Sequence, residues 1–120
     1  MKKVLIIDDD SRNIFALKAV LKAKGYSCVT ANSAQSGIEI LDNDNDVGIV
    51  LLDMMMPDMD GYQTIETIRQ GAHNAIPIVS VTAQAMQGDR EKCLAAGADE
   101  YVSKPIDVDQ LLMILNDHLK

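Results

Sequence analysis

"IVLLDMMMPDMDG", residues 49–61, runs four apolar side chains into a lone carboxylate, Asp53, and follows it with four methionines, a proline and two more aspartates before Gly61. A strand with one wet face would alternate apolar and polar residues. This one does not, so both of its faces must be covered, as in a parallel strand flanked by helices on either side. Open parallel sheets bind their ligands beyond the carboxyl ends of the strands. A covered strand ending on an acid therefore delivers that acid to the binding edge.

The same signature recurs outward from this run. Continuous apolar stretches lie at Val4–Ile7, Val47–Leu52 and Ile78–Val81, with weaker ones at Ser27–Thr30 and Tyr101–Ser103. Helical patterns fill the intervals. Residues 12–24 follow Ser11 as N-cap and end at Gly25, and residues 34–41 follow Ser33. Residues 62–70 end at Gly71, residues 85–96 at Gly97, and residues 108–119 follow Asp107. Strand and helix alternate five times with short connections. This order predicts one α/β domain over residues 1–120, doubly wound, with right-handed crossovers and helices on both faces of a mostly parallel sheet.

Composition narrows the function classes. The chain has 120 residues, enough to bury about two-thirds of its unfolded surface as one domain. No apolar run approaches the roughly 20 residues of a membrane span, so no membrane insertion is expected. "MKKVLIIDDD" has the lysines and short apolar run of a signal peptide, but it stops at three aspartates without a cleavage site and reads as a first strand. Cys28 and Cys93, far apart in sequence, read as reduced core thiols, and a cytoplasmic location is expected. A net charge of −7 without a Lys/Arg cluster argues against direct nucleic-acid binding.

Four of the strands end on chemistry. Asp8, Asp9 and Asp10 follow the first, Asp53 the third, Thr82 the fourth, and Lys104 with Pro105 the fifth. Parallel strands share one carboxyl edge, so these groups converge. Carboxylates brought that close raise a pKa or take a cation between them. Oxygen ligands without a nearby histidine or cysteine favour a hard ion, Mg²⁺ before Ca²⁺, with Mn²⁺ as a substitute. His73 and His118 stand outside the cluster, which leaves zinc no ligand set. A divalent ion, a carboxylate, a hydroxyl and an ammonium are the parts that phosphoryl transfer to a carboxylate requires. Asp53 would be the nucleophile, with Lys104 and Thr82 on the phosphoryl oxygens.

The stretches "VLIIDDDSRN", "LLDMMMPDMDGYQTIETIR", "IPIVSVTA" and "GADEYVSKPI" span nearly the whole chain. Together they resemble the receiver domain of two-component response regulators, including the single-domain chemotaxis type. "DDDSRNIFALKAVL" is similar to receivers of hybrid kinases. The resemblance implies a flavodoxin-like five-stranded sheet in the order 2-1-3-4-5. It implies a metal site of Asp8, Asp9, Asp53 and the backbone carbonyl of Met55, with Asp53 as phosphoacceptor. It also implies Thr82 and Lys104 as phosphoryl-stabilising residues, Thr82 and Tyr101 as switch residues, and a cis bond before Pro105. The implied donor is a phosphohistidine on a sensor histidine kinase or histidine phosphotransfer protein. The response is a change in binding of an effector at the helix 4–strand 5–helix 5 face. Such a domain catalyses only its own phosphorylation and dephosphorylation and is not otherwise an enzyme.

Other readings compete at particular residues. Asp10 is a third ligand or a helix-dipole residue ahead of Ser11, and the latter is preferred. Asp58 and Asp60 suit a Pro/Gly turn, with Asp60 capping the next helix. "DNDNDVG", residues 42–48, mimics the start of a calcium loop, but Val47 stands where glycine belongs. Met54, Met55 and Met56 read as gap fillers rather than soft-metal ligands. Tyr101 is either a packed strand residue or a switch. By resemblance, Met55 and Gln84 occupy positions that influence the hydrolytic water, which predicts slow self-dephosphorylation. An aspartyl-phosphate phosphohydrolase would need a second acid where Met55 stands, and a flavin carrier would need aromatic walls that 3% aromatic content does not supply. A receiver-like module that binds partners without phosphorylation is the remaining alternative.

Overall fold

The computed structural model describes residues 2–83 and 88–119. The elements, in chain order, are β1 Lys3–Ile7, α1 Ser11–Ala23, β2 Cys28–Ala31, α2 Ala34–Asn43 and β3 Val47–Asp53. They continue with α3 Gly61–Gln70, β4 Ile78–Thr82, α4 Asp89–Ala96, β5 Glu100–Ser103 and α5 Val108–His118. The strands form one parallel sheet in the order β2-β1-β3-β4-β5, the flavodoxin-like arrangement.

The continuous apolar runs are explained by two cores. Leu5, Ile7, Val50, Leu52 and Ile78 pack in one cluster with Leu41, Ile65, Ile68 and Cys93 from α2, α3 and α4. Val4, Ile6, Ile49, Leu51, Val79, Val81 and Val102 pack in the other, with Leu21 of α1 and Leu111 and Leu115 of α5. Alternate residues of each central strand thus enter opposite cores, as the pleat requires. Cys93 lies in the first core and Cys28 packs against the second, so the sheet separates the two free thiols.

Local chemistry sets most element ends. Ser33 caps α2 by accepting the Ser36 N–H, Asp60 caps α3 through Gln63, and Asp107 caps α5 through Asp109 and Gln110. Asp10, not Ser11, caps α1: its backbone is extended and its side chain accepts the Arg12 N–H at 2.9 Å. Ser11 is the first helical residue, and the carboxylate before it satisfies an otherwise orphaned donor. β2 and β5 each begin one residue away from their expected starts, and β3 extends to include Asp53 itself. Gly61 is required by close approach, since a Cβ there would stand 2.8 Å from Met54 Cα. In the loop of residues 42–48, Asp44 pairs with Lys3 at 2.9 Å and accepts the Asp46 N–H, which makes it a turn.

Candidate functional site

Sheet register aligns the acids. Ile7 pairs with Leu52 across β1 and β3, so Asp8 and Asp53 are the next residues on adjacent central strands. The pleat then gives both the side taken by Ile6 and Leu51, toward α1 and α5. Three further backbone bonds extend the ladder past the strand ends: Asp8 N to Ala31 O, Met54 N to Val81 O, and Lys104 N to Thr82 O. Position in the sheet, not any flexible loop, brings these residues together.

Candidate ligand oxygens of Asp8, Asp9 and Asp53 lie within 4.8 Å of one another. Asp8 and Asp53 are buried, at 7% and 5% exposure, whereas Asp9 opens to solvent. Lys104 Nζ reaches Asp8 Oδ2 at 3.6 Å and Asp53 Oδ1 at 3.7 Å, beyond tight ion pairing but close enough to attract both. The Met55 N–H donates to Asp53 Oδ1 at 3.1 Å and the Asp10 N–H to Asp8 Oδ1 at 2.9 Å, fixing both carboxylates. Burial, aided by the charge of Asp8, pushes the Asp53 carboxyl up to about 6 against the Met55 N–H and Lys104. Two buried carboxylates and a half-buried cation cannot balance one another, and an all-oxygen donor set with this excess charge fits Mg²⁺. A cavity of about 310 Å³ opens beside Asp8, Asp53 and Lys104, walled by apolar side chains of α1 and α5's approach, among them Leu17, Val20 and Ile106.

The remaining sequence candidates take different places. Thr82 is buried at the end of β4, one residue beyond the partner of Asp53. The Lys104–Pro105 bond is cis. Met54 and Met56 are buried in the core, but Met55 is 54% exposed and fills no gap. Asp10 is turned to α1 as its cap, so among the described residues the three-acid group excludes it. Tyr101 is half-buried on β5, its hydroxyl donating to Asp89 Oδ2 at 2.8 Å. Gln84 lies outside the described residues.

Sequence reasoning missed three residues. Asp58, assigned to its own turn, accepts from Ala34 N and Gln35 N at 3.3 Å each, tying the β3–α3 loop to the start of α2. Asp89 receives hydroxyls of both Tyr62 and Tyr101. Arg69 clasps the carbonyls of Asn74, Ile76 and Gly97 together with Asp99. Each acts on residues far away in sequence, where no local pattern points.

Residues 4–116 match the family model described as the response regulator receiver domain. The sensor histidine kinase RcsC of Salmonella typhi is 38% identical over 112 residues, covering 93% of this chain and 12% of that protein. The heme response regulator HssR of Staphylococcus epidermidis is 33% identical, covering 93% of this chain and 49% of that protein. This chain therefore spans from about an eighth to half the length of these relatives. A response regulator receiver protein from Pseudomonas putida superposes with a TM-score of 0.91 at 28% identity, covering 97% of this chain and 96% of the other. The receiver domain of sensor histidine kinase PA1611 from Pseudomonas aeruginosa, solved with magnesium in its active-site cleft, gives a TM-score of 0.88 at 29% identity, covering 98% and 97%. No helix among the described residues is long and apolar enough to cross a membrane.

Proposed function

This chain belongs to the response regulator receiver domain family of two-component signalling, and on that premise we propose that it is a phosphorylation-controlled switch whose phosphoacceptor is Asp53. The observation that carries the reading is the buried pair Asp8 and Asp53, with Lys104 within 3.7 Å of both and Asp9 completing an oxygen donor set.

The chemistry follows from the residues. An Asp53 oxygen attacks phosphorus of a phosphohistidine, from a sensor histidine kinase or a histidine phosphotransfer protein. The O–P bond forms as the P–N bond breaks, and the imidazole leaves with its electron pair and takes up a proton from water. The product is an acyl phosphate on Asp53. Asp8, Asp9, Asp53 and the Met55 carbonyl would hold Mg²⁺, which when bound supplies neutralising charge for the phosphoryl oxygens. Lys104 attracts the same oxygens, and the Met55 N–H keeps the nucleophile oriented. After transfer, Thr82 hydrogen-bonds the phosphoryl group and Tyr101 follows it. The surface of α4, β5 and α5 then changes its affinity for an effector, a population shift stabilised by charge-assisted bonds. The chain performs no chemistry on other substrates under this reading.

The test is incubation with acetyl phosphate and Mg²⁺, followed by intact mass of the native protein and of Asp53→Asn. One phosphate adduct on the native chain and none on the variant is expected. An unmodified native chain, or an equal adduct on the variant, removes Asp53 from this role.

A further inference from the structure

Asp89, the first residue of α4, receives two tyrosine hydroxyls at once. Tyr101 Oη from β5 donates to Oδ2 at 2.8 Å, and Tyr62 Oη from α3 donates to Oδ1. Lys92, one turn further, places its ammonium 4.3 Å from the Tyr62 ring centroid, and buried Cys93 follows on the inner face. The N-cap Gly88 offers no side-chain acceptor, so Asp89 also supplies the negative charge that the first turn favours. Its bonds to Tyr62 and Tyr101 tie three elements together at one carboxylate. The Tyr62 hydroxyl is pushed up chiefly by its bond to Asp89, and that of Tyr101 to about 12 by burial and then by Asp89. Both phenols therefore stay protonated near neutral pH and remain donors.

Register gives this bridge its consequence. Tyr101 pairs with Ser80, two residues before Thr82, and packs on the α3–α4 side of the sheet. Alternation along β4 turns Thr82 to that same side. In the reading above Tyr101 follows Thr82, and a Tyr101 side chain that leaves the start of α4 gives up its 2.8 Å bond to Asp89. We infer that Asp89 is a positioning residue: it holds Tyr101 and Tyr62 against the start of α4 in the unphosphorylated protein and so sets how readily the α4–β5 surface responds at Asp53. The inference rests on the receiver reading above.

A bond made in one of two states biases the equilibrium by its own strength, and where the other state is the one that accepts the phosphoryl group, the initial rate scales with the fraction in that state. Asp89→Ala is expected to raise the initial rate of phosphorylation by acetyl phosphate and Mg²⁺ roughly fivefold, the scale of one partly exposed hydrogen bond to a charged group. A second readout separates this role from helix capping. The chain has three tyrosines and no tryptophan, so its fluorescence is tyrosine emission, which bonding to a carboxylate quenches. Native emission should rise on phosphorylation, and Asp89→Ala should be bright before any phosphate is added. Tyr101→Phe keeps the α4 charge and the ring but removes the hydroxyl that Asp89 holds, and it should speed phosphorylation in the same direction; it serves if Asp89→Ala loses its circular dichroism. An unchanged or slower rate in the folded variants, or emission that stays quenched in Asp89→Ala, overturns the inference while the native adduct upholds the receiver reading. No adduct on the native chain overturns both.

Discussion

Burial is the largest influence on the Asp53 carboxyl, and with the charge of Asp8 it outweighs the Met55 N–H and Lys104, so the group titrates at about 6 instead of 3.8. A folded value above the unfolded one means that folding disfavours the ionised form. The cost is absent below the unfolded value, grows between the two values, and is complete above the folded one. Metal-free protein should therefore lose stability through this group as pH rises from about 4 to about 6. Asp53→Asn removes the cost, and we expect it to be more stable than the native chain by about 1–2 kcal/mol at neutral pH, allowing for partial solvation from the adjoining cavity. Urea unfolding in chelator at pH 7 and pH 4 checks this, and the difference should close at the lower pH. A native chain more stable than the variant at pH 7 would contradict it. Met55, beside the same carboxylate, exposes a thioether that cannot orient an attacking water. The phosphorylated form should accordingly persist for minutes or longer after donor removal. Decay within seconds, followed by intact mass, would show that another group positions that water.

Elements differ in how openly their residues announce them. β1, β3 and β4 are covered on both faces, so their runs show no apolar–polar alternation, buried Ser80 of β4 being the one polar interruption, and their bounds were legible within a residue. β2 and β5 are the edge strands, half-covered, and their patterns are correspondingly weak. The helix caps Ser33, Asp60 and Asp107 act within three residues and could be read locally, whereas Asp10 was overlooked because Ser11 beside it is an equally good cap type. Asp58, and Arg69 in its bonds to Gly97 and Asp99, act across 23 to 30 residues, and only the assembled topology makes them neighbours. Arg69 best shows what that hides. Its Nη1 meets Ile76 O at 2.6 Å and Asn74 O at 3.1 Å, while Nε and Nη2 share Gly97 O at 2.9 and 2.8 Å and Nη2 also meets Asp99 at 2.8 Å. One planar fork thus closes the α3–β4 loop and the α4–β5 turn, where Gly97 holds φ +120°. Lysine cannot reproduce the fork and would leave part-buried carbonyls unpaired, so Arg69→Lys should cost about 1–2 kcal/mol. Arg12, 91% exposed in a pair at 3.4 Å, should lose no more than about 0.5 kcal/mol on replacement by alanine. Similar losses at the two sites in denaturant titrations would refute this ranking.

At the scale of the whole molecule, parallel winding is what converts a scattered set of acids into a site. Asp8 and Asp9 lie more than forty residues before Asp53, and Lys104 about fifty after it, yet the β1–β3 register and the shared carboxyl edge assemble them. This convergence was legible because the rule for open parallel sheets needs only strand ends. The orientation of each carboxylate, set by the Asp10 and Met55 amides, was not. Assembly by folding has a thermodynamic consequence. The unfolded chain retains only the local acidic run, a weak Mg²⁺ ligand, so ion binding is linked to folding. At ten times its dissociation constant, Mg²⁺ should stabilise the protein by about 1.4 kcal/mol, raising the melting temperature by about 4–6 °C for a chain of this size. Sodium chloride at matched ionic strength only screens the net charge of −7 and should give a smaller, non-saturating rise. Asp8→Asn removes a buried donor from the convergent set and should abolish the saturable part while leaving the salt effect. Thermal unfolding across a Mg²⁺ titration distinguishes the two, and an equal saturable rise in Asp8→Asn would mean that the ion binds elsewhere.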